Sequence, residues 1–280
     1  MSNNFTILAQ NSITDYVEQA YLCAMSIRAT NNDCKICLIT NNTVSDKHKQ
    51  MFDDIVDIPW GDHATGDWKV ENRWKIYHAC PYENTIVMDA DMIVLQDISV
   101  WFEFLKNYKL FFTSNVYTYR NEVITNTYYR KTFETNHLPN IYTGLHYFEK
   151  SDLAHEFYAW LELITNNWET FYRQHAGGRL YQRTCSIDLS ASIATKIMNI
   201  ETLVTNPRVQ YPSFTHMKPR IQNWSNDVLD RWQDRVGTYL SEDLQLKIGN
   251  YKQSGIFHYT EDDFVNDRII ELYEKSLGIC

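Results

Sequence analysis

Strand-like and helix-like segments alternate along the first hundred residues, and this alternation limits the fold more than any other feature of the sequence. FTILAQ (5–10) and KICLITNN (35–42) are apolar runs typical of buried strands, and residues 13–30 between them carry apolar side chains at helical spacing. The alternation then continues with a helix, a strand and a helix, at residues 44–55, 55–60 and 68–80. Because strands joined by helical crossovers lie parallel in a sheet covered by helices, the sequence predicts an α/β fold with a mostly parallel sheet.

The second half of the sequence continues the pattern less regularly. Strands are predicted at 109–116, 141–149, 209–218 and 244–260, and helices at 152–168, 183–199 and 264–278, the last ending near Gly278. No linker rich in Pro or Gly divides the chain, so we expect one domain over its 280 residues.

The bulk properties exclude several classes of protein. A formal net charge of −9 and a pI near 5.5 give no general attraction to nucleic acid or to anionic membranes. Every apolar run falls short of the roughly 18 residues that a membrane helix needs, and the amino terminus does not resemble a signal peptide. The six cysteines have spacings that suit neither a disulfide framework nor a zinc site. We therefore expect a cytoplasmic protein without a membrane span.

Two acidic residues interrupt the apolar stretch NTIVMDADMIVL (84–95), which is predicted to form a pair of strands. Residues two apart on an extended chain point to the same side, so the carboxylates of Asp89 and Asp91 are expected to converge. Two unit charges about 4 Å apart repel by roughly 4 kcal/mol at an effective dielectric constant of 20. A divalent cation removes this repulsion, and hard oxygen ligands favour Mg²⁺ or Mn²⁺, with a nearby imidazole favouring Mn²⁺.

Five segments in order resemble the GT-A glycosyltransferases, most nearly those of family 8: FTILAQNSITDYVEQAYLCAMSIRAT, NRWKIYHACPYENTIVMDADMIVLQDIS, NIYTGLHYFEKSD, SIDLSASI and FTHMKPRIQNW. The resemblance covers about residues 5 to 220 and includes the DxD motif at Asp89 and Asp91. It implies a GT-A fold with a mixed, mostly parallel sheet and flanking helices. Within one domain at 1–280, residues 1–100 would form the nucleotide-binding half and 101–280 the sugar- and acceptor-binding half with a C-terminal extension.

The same resemblance implies a metal-dependent glycosyltransferase that moves a sugar from a nucleotide sugar, with a UDP-sugar expected, to a hydroxyl acceptor. Asp89 and Asp91 would hold Mn²⁺ or Mg²⁺ against the diphosphate. A family-type histidine would be the third ligand, and both His216 in HMKP and His258 in GIFHYT are candidates. His216 is the nearer match, because the lysine that follows it, Lys218, would then contact the diphosphate.

Further contacts to substrate are implied by the resemblance, at Ala9, Asn11 and Tyr16, at Arg73 and Lys75, at Ala90, and at Thr143 and Gly144. Asp188 in SIDLS matches an acidic position beside the transferred sugar and, with Asp91, is assigned a catalytic role. Three of these residues have a structural alternative: Tyr16 can pack the first helix, Gly144 can mark a strand bulge and Asp188 can cap a helix. Gln10 and Asn11 stand where the family often has an acidic residue that reads the base.

Two other functions and several acceptors stay open at this level. Nucleotidyl transfer uses a similar sheet, but its glycine-rich phosphate loop is missing from ILAQNSITDY (7–16). A non-catalytic carbohydrate-binding module on the same fold is the other alternative. The acceptor could be a glycan, a protein or a hydroxylated base in DNA. Arg120, Arg130 and Lys131 lie among tyrosines at 120–133, which is typical of a nucleic-acid groove or of a mobile lid.

Overall fold

The computed structural model describes residues 3–62, 64, 66, 69–124, 130–177, 182–216, 237–259 and 264–279. The strands in this part of the chain are β1 Asn3–Leu8, β2 Cys34–Ile39, β3 Asp54–Val56, β4 Asn84–Asp89, β5 Met92–Val94, β6 Leu110–Thr113, β7 Tyr142–Glu149, β8 Thr215–His216, β9 Thr238–Leu240, β10 Leu246–Ile248, β11 Tyr251–Lys252 and β12 Ile256–His258. The helices are α1 Tyr16–Thr30, α2 Asp46–Lys49, α3 Lys75–Ala79, α4 Ser99–Leu105, α5 Lys131–Thr135, α6 Asp152–Asn166, α7 Trp168–His175, α8 Ile187–Met198, α9 Glu201–Val204 and α10 Asp267–Leu277.

A six-stranded sheet in the order β3-β2-β1-β4-β7-β6 forms the centre of the molecule. Its first four strands run parallel, whereas β7 is antiparallel to both β4 and β6. Large apolar clusters cover the two faces of this sheet, one of them containing α1 and α10 and the other containing α6 and α8. The prediction of an α/β fold with a mixed, mostly parallel sheet is confirmed.

Two three-stranded sheets accompany the central one, in the orders β5-β12-β8 and β11-β10-β9. Strand β12 is antiparallel to β5 and parallel to β8. Since β5 begins directly after the turn that ends β4, this pairing brings a late segment of the chain to the edge of the central sheet where β4 ends.

Capping residues set the ends of several helices. The side chain of Asp15 accepts hydrogen bonds from the backbone of Val17 and Glu18 at the start of α1, and Ser186 caps α8 through the backbone N–H of Leu189. At the end of α10, Gly278 has the left-handed conformation expected of a helix terminator, with φ of 67°. The prediction for the closing helix is therefore confirmed.

Three predicted elements are shorter in the structure than the sequence suggests. The segment 44–55 forms only the four residues of α2. In the described part of 68–80, a 3₁₀ turn at Val70–Asn72 precedes α3, and the left-handed backbone of Lys69, with φ of 45°, keeps the turn from starting earlier. In the described part of this predicted strand, residues 209–216, only β8 is formed, and Pro212 before it has no N–H to donate to a sheet. Among the described residues, no helix is both long enough and apolar enough to cross a membrane.

Candidate functional site

The turn between β4 and β5 places two carboxylates at the carboxyl edge of the central sheet. Asp89 is the last residue of β4 and pairs in register with Leu8 at the end of β1, and Asp91 lies immediately before β5. The side chains of Asp89 and Asp91 are 17% and 25% exposed, whereas Ala90 between them is buried. The two carboxylates therefore reach a partly open space from an otherwise apolar strand pair.

His258 completes a three-residue cluster with these carboxylates. Antiparallel pairing places His258 opposite Met92, and the N–H of Tyr259 donates to the carbonyl of Asp91 over 3.1 Å. The Nε2 atom of His258 lies 3.1 Å from Oδ2 of Asp91. One candidate ligand atom from each of Asp89, Asp91 and His258 lies within 4.8 Å of the others. Two carboxylate oxygens and one imidazole nitrogen suit a divalent ion such as Mn²⁺.

His216 stands directly behind His258. Strands β8 and β12 pair in parallel with His216 opposite His258, and the two ring planes are inclined by 24° with their centroids 4.8 Å apart. The two Nδ1 atoms are 3.0 Å apart. The three-residue cluster contains His258 and not His216, so the geometry favours His258 of the two candidates for the third ligand.

Arg73 supplies a positive charge beside the first carboxylate. It follows the 3₁₀ turn at Val70–Asn72, and its Nη1 forms an ion pair with Oδ1 of Asp89. Burial lowers the pKa of Arg73, but the carboxylates of Asp89 and Asp91 outweigh this effect, and the net pKa lies above its usual range. The guanidinium therefore stays charged and offsets part of the repulsion between the two carboxylates.

A cavity of about 580 Å³ opens over this cluster. Among the residues predicted from the sequence, its wall includes Tyr16, Arg73, Asp89, Ala90, Asp91, Thr143, Gly144, Asp188, His216 and His258. The structure thus brings residues from β1, β4, β7, β8, β12 and the start of α8 to one pocket. Pockets of about 300–1,000 Å³ hold ligands the size of a cofactor.

Other predicted residues lie away from this wall in the part of the chain that is described. Ala9 is fully buried, and the side chain of Asn11 contacts Asp15 and the N–H of Val17. Lys75 is 3% exposed, and its Nζ donates to the carbonyl of Gly61 over 2.5 Å. None of these three residues lines the cavity, and their contact with substrate stays a prediction. Lys218 lies outside the described residues.

Asp188 is held in a buried network at the floor of the cavity. Its Oδ1 accepts hydrogen bonds from the backbone N–H and the hydroxyl of Thr143, at 2.8 and 2.5 Å, and its Oδ2 pairs with Nη2 of Arg130 at 2.6 Å. The guanidinium of Arg130 also lies 3.5 Å from the ring centroid of Tyr142. Arg130 is 8% exposed, so its charge is turned toward Asp188 and not toward a surface groove.

A buried histidine lies beneath the same segment of β7. His146 contacts the carbonyl of Thr143 through Nδ1 and the hydroxyl of Tyr158 through Nε2, both at 2.7 Å. Because a carbonyl can only accept, Nδ1 carries the proton and Nε2 accepts from Tyr158. Burial lowers the pKa of His146 to about 4, although the Thr143 carbonyl opposes this shift. The ring is therefore neutral near pH 7.

The cavity wall includes residues that the sequence analysis did not assign to substrate, among them Gln10, Thr14, Tyr142, Ser186 and Phe214. Gln10 and Thr14 lie in the loop that was predicted to contact the base, and Tyr142 precedes Thr143. Their neighbours in the sequence therefore indicated that these three residues lie near the substrate. The sequence did not indicate a place in the cavity wall for Ser186, which caps a helix, or for Phe214, which belongs to an apolar run.

Comparison with known protein families and with curated protein sequences gives no match. Among solved structures, the galactosyltransferase LgtC, in complex with donor and acceptor sugar analogues, matches with a TM-score of 0.53 at 10% identity, over 99% of this chain and all of LgtC. Mouse xyloside xylosyltransferase 1 matches at 0.49 and 10% identity, over 93% of this chain and 98% of the enzyme. GlyE of Streptococcus pneumoniae TIGR4 matches at 0.40 and 14% identity; 74% of this chain corresponds to 45% of GlyE, so the chain spans less than half of that protein. The similarity to LgtC carries the conclusion that this chain has the GT-A glycosyltransferase fold.

Proposed function

We propose that this chain is a metal-dependent glycosyltransferase that moves a sugar from a nucleoside-diphosphate sugar to a hydroxyl acceptor. The observation that carries the proposal is the cluster of Asp89, Asp91 and His258 on the wall of a cavity of about 580 Å³. The cavity opens at the carboxyl ends of parallel strands, which is where open α/β sheets bind their ligands. The fold shared with LgtC, a galactosyltransferase solved with donor and acceptor sugar analogues, supports the same reaction class.

The side chains of the cluster fit a divalent cation. Asp89 and Asp91 offer hard oxygen ligands, and His258 offers a nitrogen that favours Mn²⁺ over Mg²⁺. When bound, the ion would neutralise the negative charge that develops on the departing nucleoside diphosphate. The ion pair with Arg73 engages Oδ1 of Asp89, and Oδ2 of the same carboxylate faces Gly144.

The cavity wall also provides surfaces for the other parts of a nucleotide sugar. The ring of Tyr16, at the start of α1, is proposed to stack on the base, with uridine as the expected base. Thr143 and Gly144 are proposed to lie along the sugar, because the missing side chain of Gly144 leaves room beside Asp89. Asp188 keeps Thr143 in place and is retained as a candidate contact to the transferred sugar.

The acceptor is proposed to be a hydroxyl group of a glycan or a protein. The alternative of hydroxylated DNA relied on a basic groove at residues 120–133. Arg130 of that segment is buried against Asp188, and Arg120 lies over the rings of Tyr119 and Tyr251. The described part of the segment thus gives no support for a strand of nucleic acid.

Thermal unfolding with a panel of nucleoside-diphosphate sugars, with and without Mn²⁺, tests the binding step. A donor at 100 times its dissociation constant adds about 2.7 kcal/mol of stability. The expected result is stabilisation by one or a few donors that requires Mn²⁺. Asp91→Asn, which keeps the shape of the side chain and removes its charge, should abolish it.

Product analysis then separates the reaction classes. A glycosyltransferase releases nucleoside diphosphate and free sugar when its donor is slowly hydrolysed. A nucleotidyltransferase would instead release pyrophosphate from a nucleoside triphosphate and a sugar phosphate. Stabilisation without either product would indicate a carbohydrate- or nucleotide-binding module. If no donor stabilises the protein, the proposal is overturned.

A further inference from the structure

The pair formed by His216 and His258 has no role in the proposed function beyond the single ligand atom of His258. Both imidazoles are nearly buried, at 5% and 4% exposure. The Nε2 atom of His258 faces Asp91 at 3.1 Å, and its Nδ1 atom faces Nδ1 of His216 at 3.0 Å. One ring nitrogen of His258 is thus directed to the candidate metal cluster, and the other is directed to a second imidazole.

The positions of the protons follow from this geometry. A neutral imidazole carries one proton, and a nitrogen that binds a metal must offer its lone pair. If Nε2 of His258 is the ligand, its proton lies on Nδ1 and requires an acceptor. The Nδ1 atom of His216 is within hydrogen-bond distance and can accept this proton when the proton of His216 is on Nε2.

We propose that His216 is a positioning residue for His258: its Nδ1 accepts the Nδ1–H of His258, fixes the tautomer and directs Nε2 of His258 toward the metal cluster. Partners that bind the second nitrogen of a ligating histidine orient the ring and raise its basicity. This inference rests on the proposed metal site, but it does not depend on which sugar or acceptor is used.

The surrounding structure fixes the two rings for this contact. The parallel register of β8 and β12 places the two residues side by side, and the rings are inclined by only 24°. The ring of Phe214 meets His216 edge-on at 5.4 Å and His258 at 5.5 Å. Tyr142 adds a further edge contact to His216 at 6.0 Å. A buried hydrogen bond between rings held in this way is stronger than one exposed to water.

Mn²⁺ binding measured by isothermal titration calorimetry, without donor or acceptor, tests the role of His216. His216→Leu replaces the imidazole by an apolar side chain and removes the acceptor, and it should weaken Mn²⁺ binding by about 10- to 100-fold, as for other outer partners of metal ligands. His216→Asn places an amide oxygen near the position of Nδ1 and should restore most of the affinity. His258→Asn lacks an atom at Nε2 and should bind as poorly as Asp91→Asn.

The outcomes separate this inference from the proposed function. If His216→Leu binds Mn²⁺ as wild type does, or if His216→Asn is as weak as His216→Leu, the positioning role is overturned. If His216→Asn loses binding to the level of His258→Asn, His216 is itself a ligand and the inference is also overturned. Failure of the wild-type protein to bind Mn²⁺ would overturn the metal site and the proposed function together. Circular dichroism of each variant confirms that the comparison is made between folded proteins.

Discussion

The α-carbon of Gly144 lies against the carboxylate of Asp89. A β-carbon added at Gly144 would be 2.6 Å from Oδ2 and 3.2 Å from Cγ of Asp89, closer than such atoms approach in proteins. Since Oδ1 of the same carboxylate is paired with Arg73, the carboxylate would have to turn away from both contacts. The position of one candidate metal ligand therefore depends on the absence of a side chain on β7.

Gly144→Ala should weaken Mn²⁺ binding by at least about tenfold, because the methyl group displaces a ligand. Calorimetric titration with Mn²⁺ measures the change. Gly237→Ala is the matched control, since a β-carbon there has no other heavy atom within 4 Å. Equal affinity in the two variants would mean that Asp89 does not bind the ion through the oxygen that faces β7.

Removing the carboxylate of Asp188 should destabilise the protein strongly. Asp188→Ala leaves the buried guanidinium of Arg130 without its anionic partner, and breaking a buried pair in this way costs about 3–5 kcal/mol. Urea unfolding measures the free energy. Glu169→Ala, which breaks the exposed pair of Glu169 and Arg173, should cost less than about 1 kcal/mol. A small loss in both variants would show that the Arg130 pair contributes little to the fold.

The stability of the protein should fall as the pH is lowered from 6.5 toward 4, partly through His146. Burial depresses the pKa of His146 from 6.5 in the unfolded chain to about 4 in the folded one. The unfolded state therefore binds a proton that the folded state excludes, and stability that is present above pH 6.5 is lost by up to roughly 3 kcal/mol as the pH falls to 4. Urea unfolding at several pH values should show a shallower loss in His146→Gln, and an identical slope in both proteins would contradict the assignment.

Replacing the aromatic ring of Tyr16 should weaken binding of the nucleoside diphosphate. Stacking of a base on an aromatic ring contributes about 1–3 kcal/mol, so Tyr16→Leu should lose roughly 5- to 150-fold in affinity for the nucleoside diphosphate in the presence of Mn²⁺. Tyr16→Phe keeps the ring and should bind nearly as wild type does. If Tyr16→Leu also binds normally, the ring serves only to pack α1.

Much of the fold was accessible from local patterns. The alternation of strands and helices predicted the parallel strands, because it depends on backbone geometry that repeats over a few residues. The spacing of two residues predicted that Asp89 and Asp91 converge on an extended chain, whereas in the structure the turn between β4 and β5 brings them together. The roles of residues in the candidate site were harder to predict from the sequence where a side chain has a choice of partners. Arg73 and Lys75 were assigned alike, yet Arg73 pairs with Asp89 whereas Lys75 binds the Gly61 carbonyl.

The assignments that the sequence left open concern contacts between distant segments. The choice between His216 and His258 depends on the pairing of β5, β12 and β8, which no local pattern specifies. Arginine is seldom buried unless it is paired, and the sequence around Arg130 does not indicate a partner. The partner, Asp188, lies in α8, and only the tertiary structure brings the two together.

The antiparallel pairing of β12 with β5 also bears on the order in which the chain is made. Strand β12 is translated long after β5, and it contributes both the edge partner of β5 and the third group of the metal cluster. The candidate cluster is therefore incomplete in any partly folded chain in which the parallel sheet has formed but β12 has not yet paired with β5.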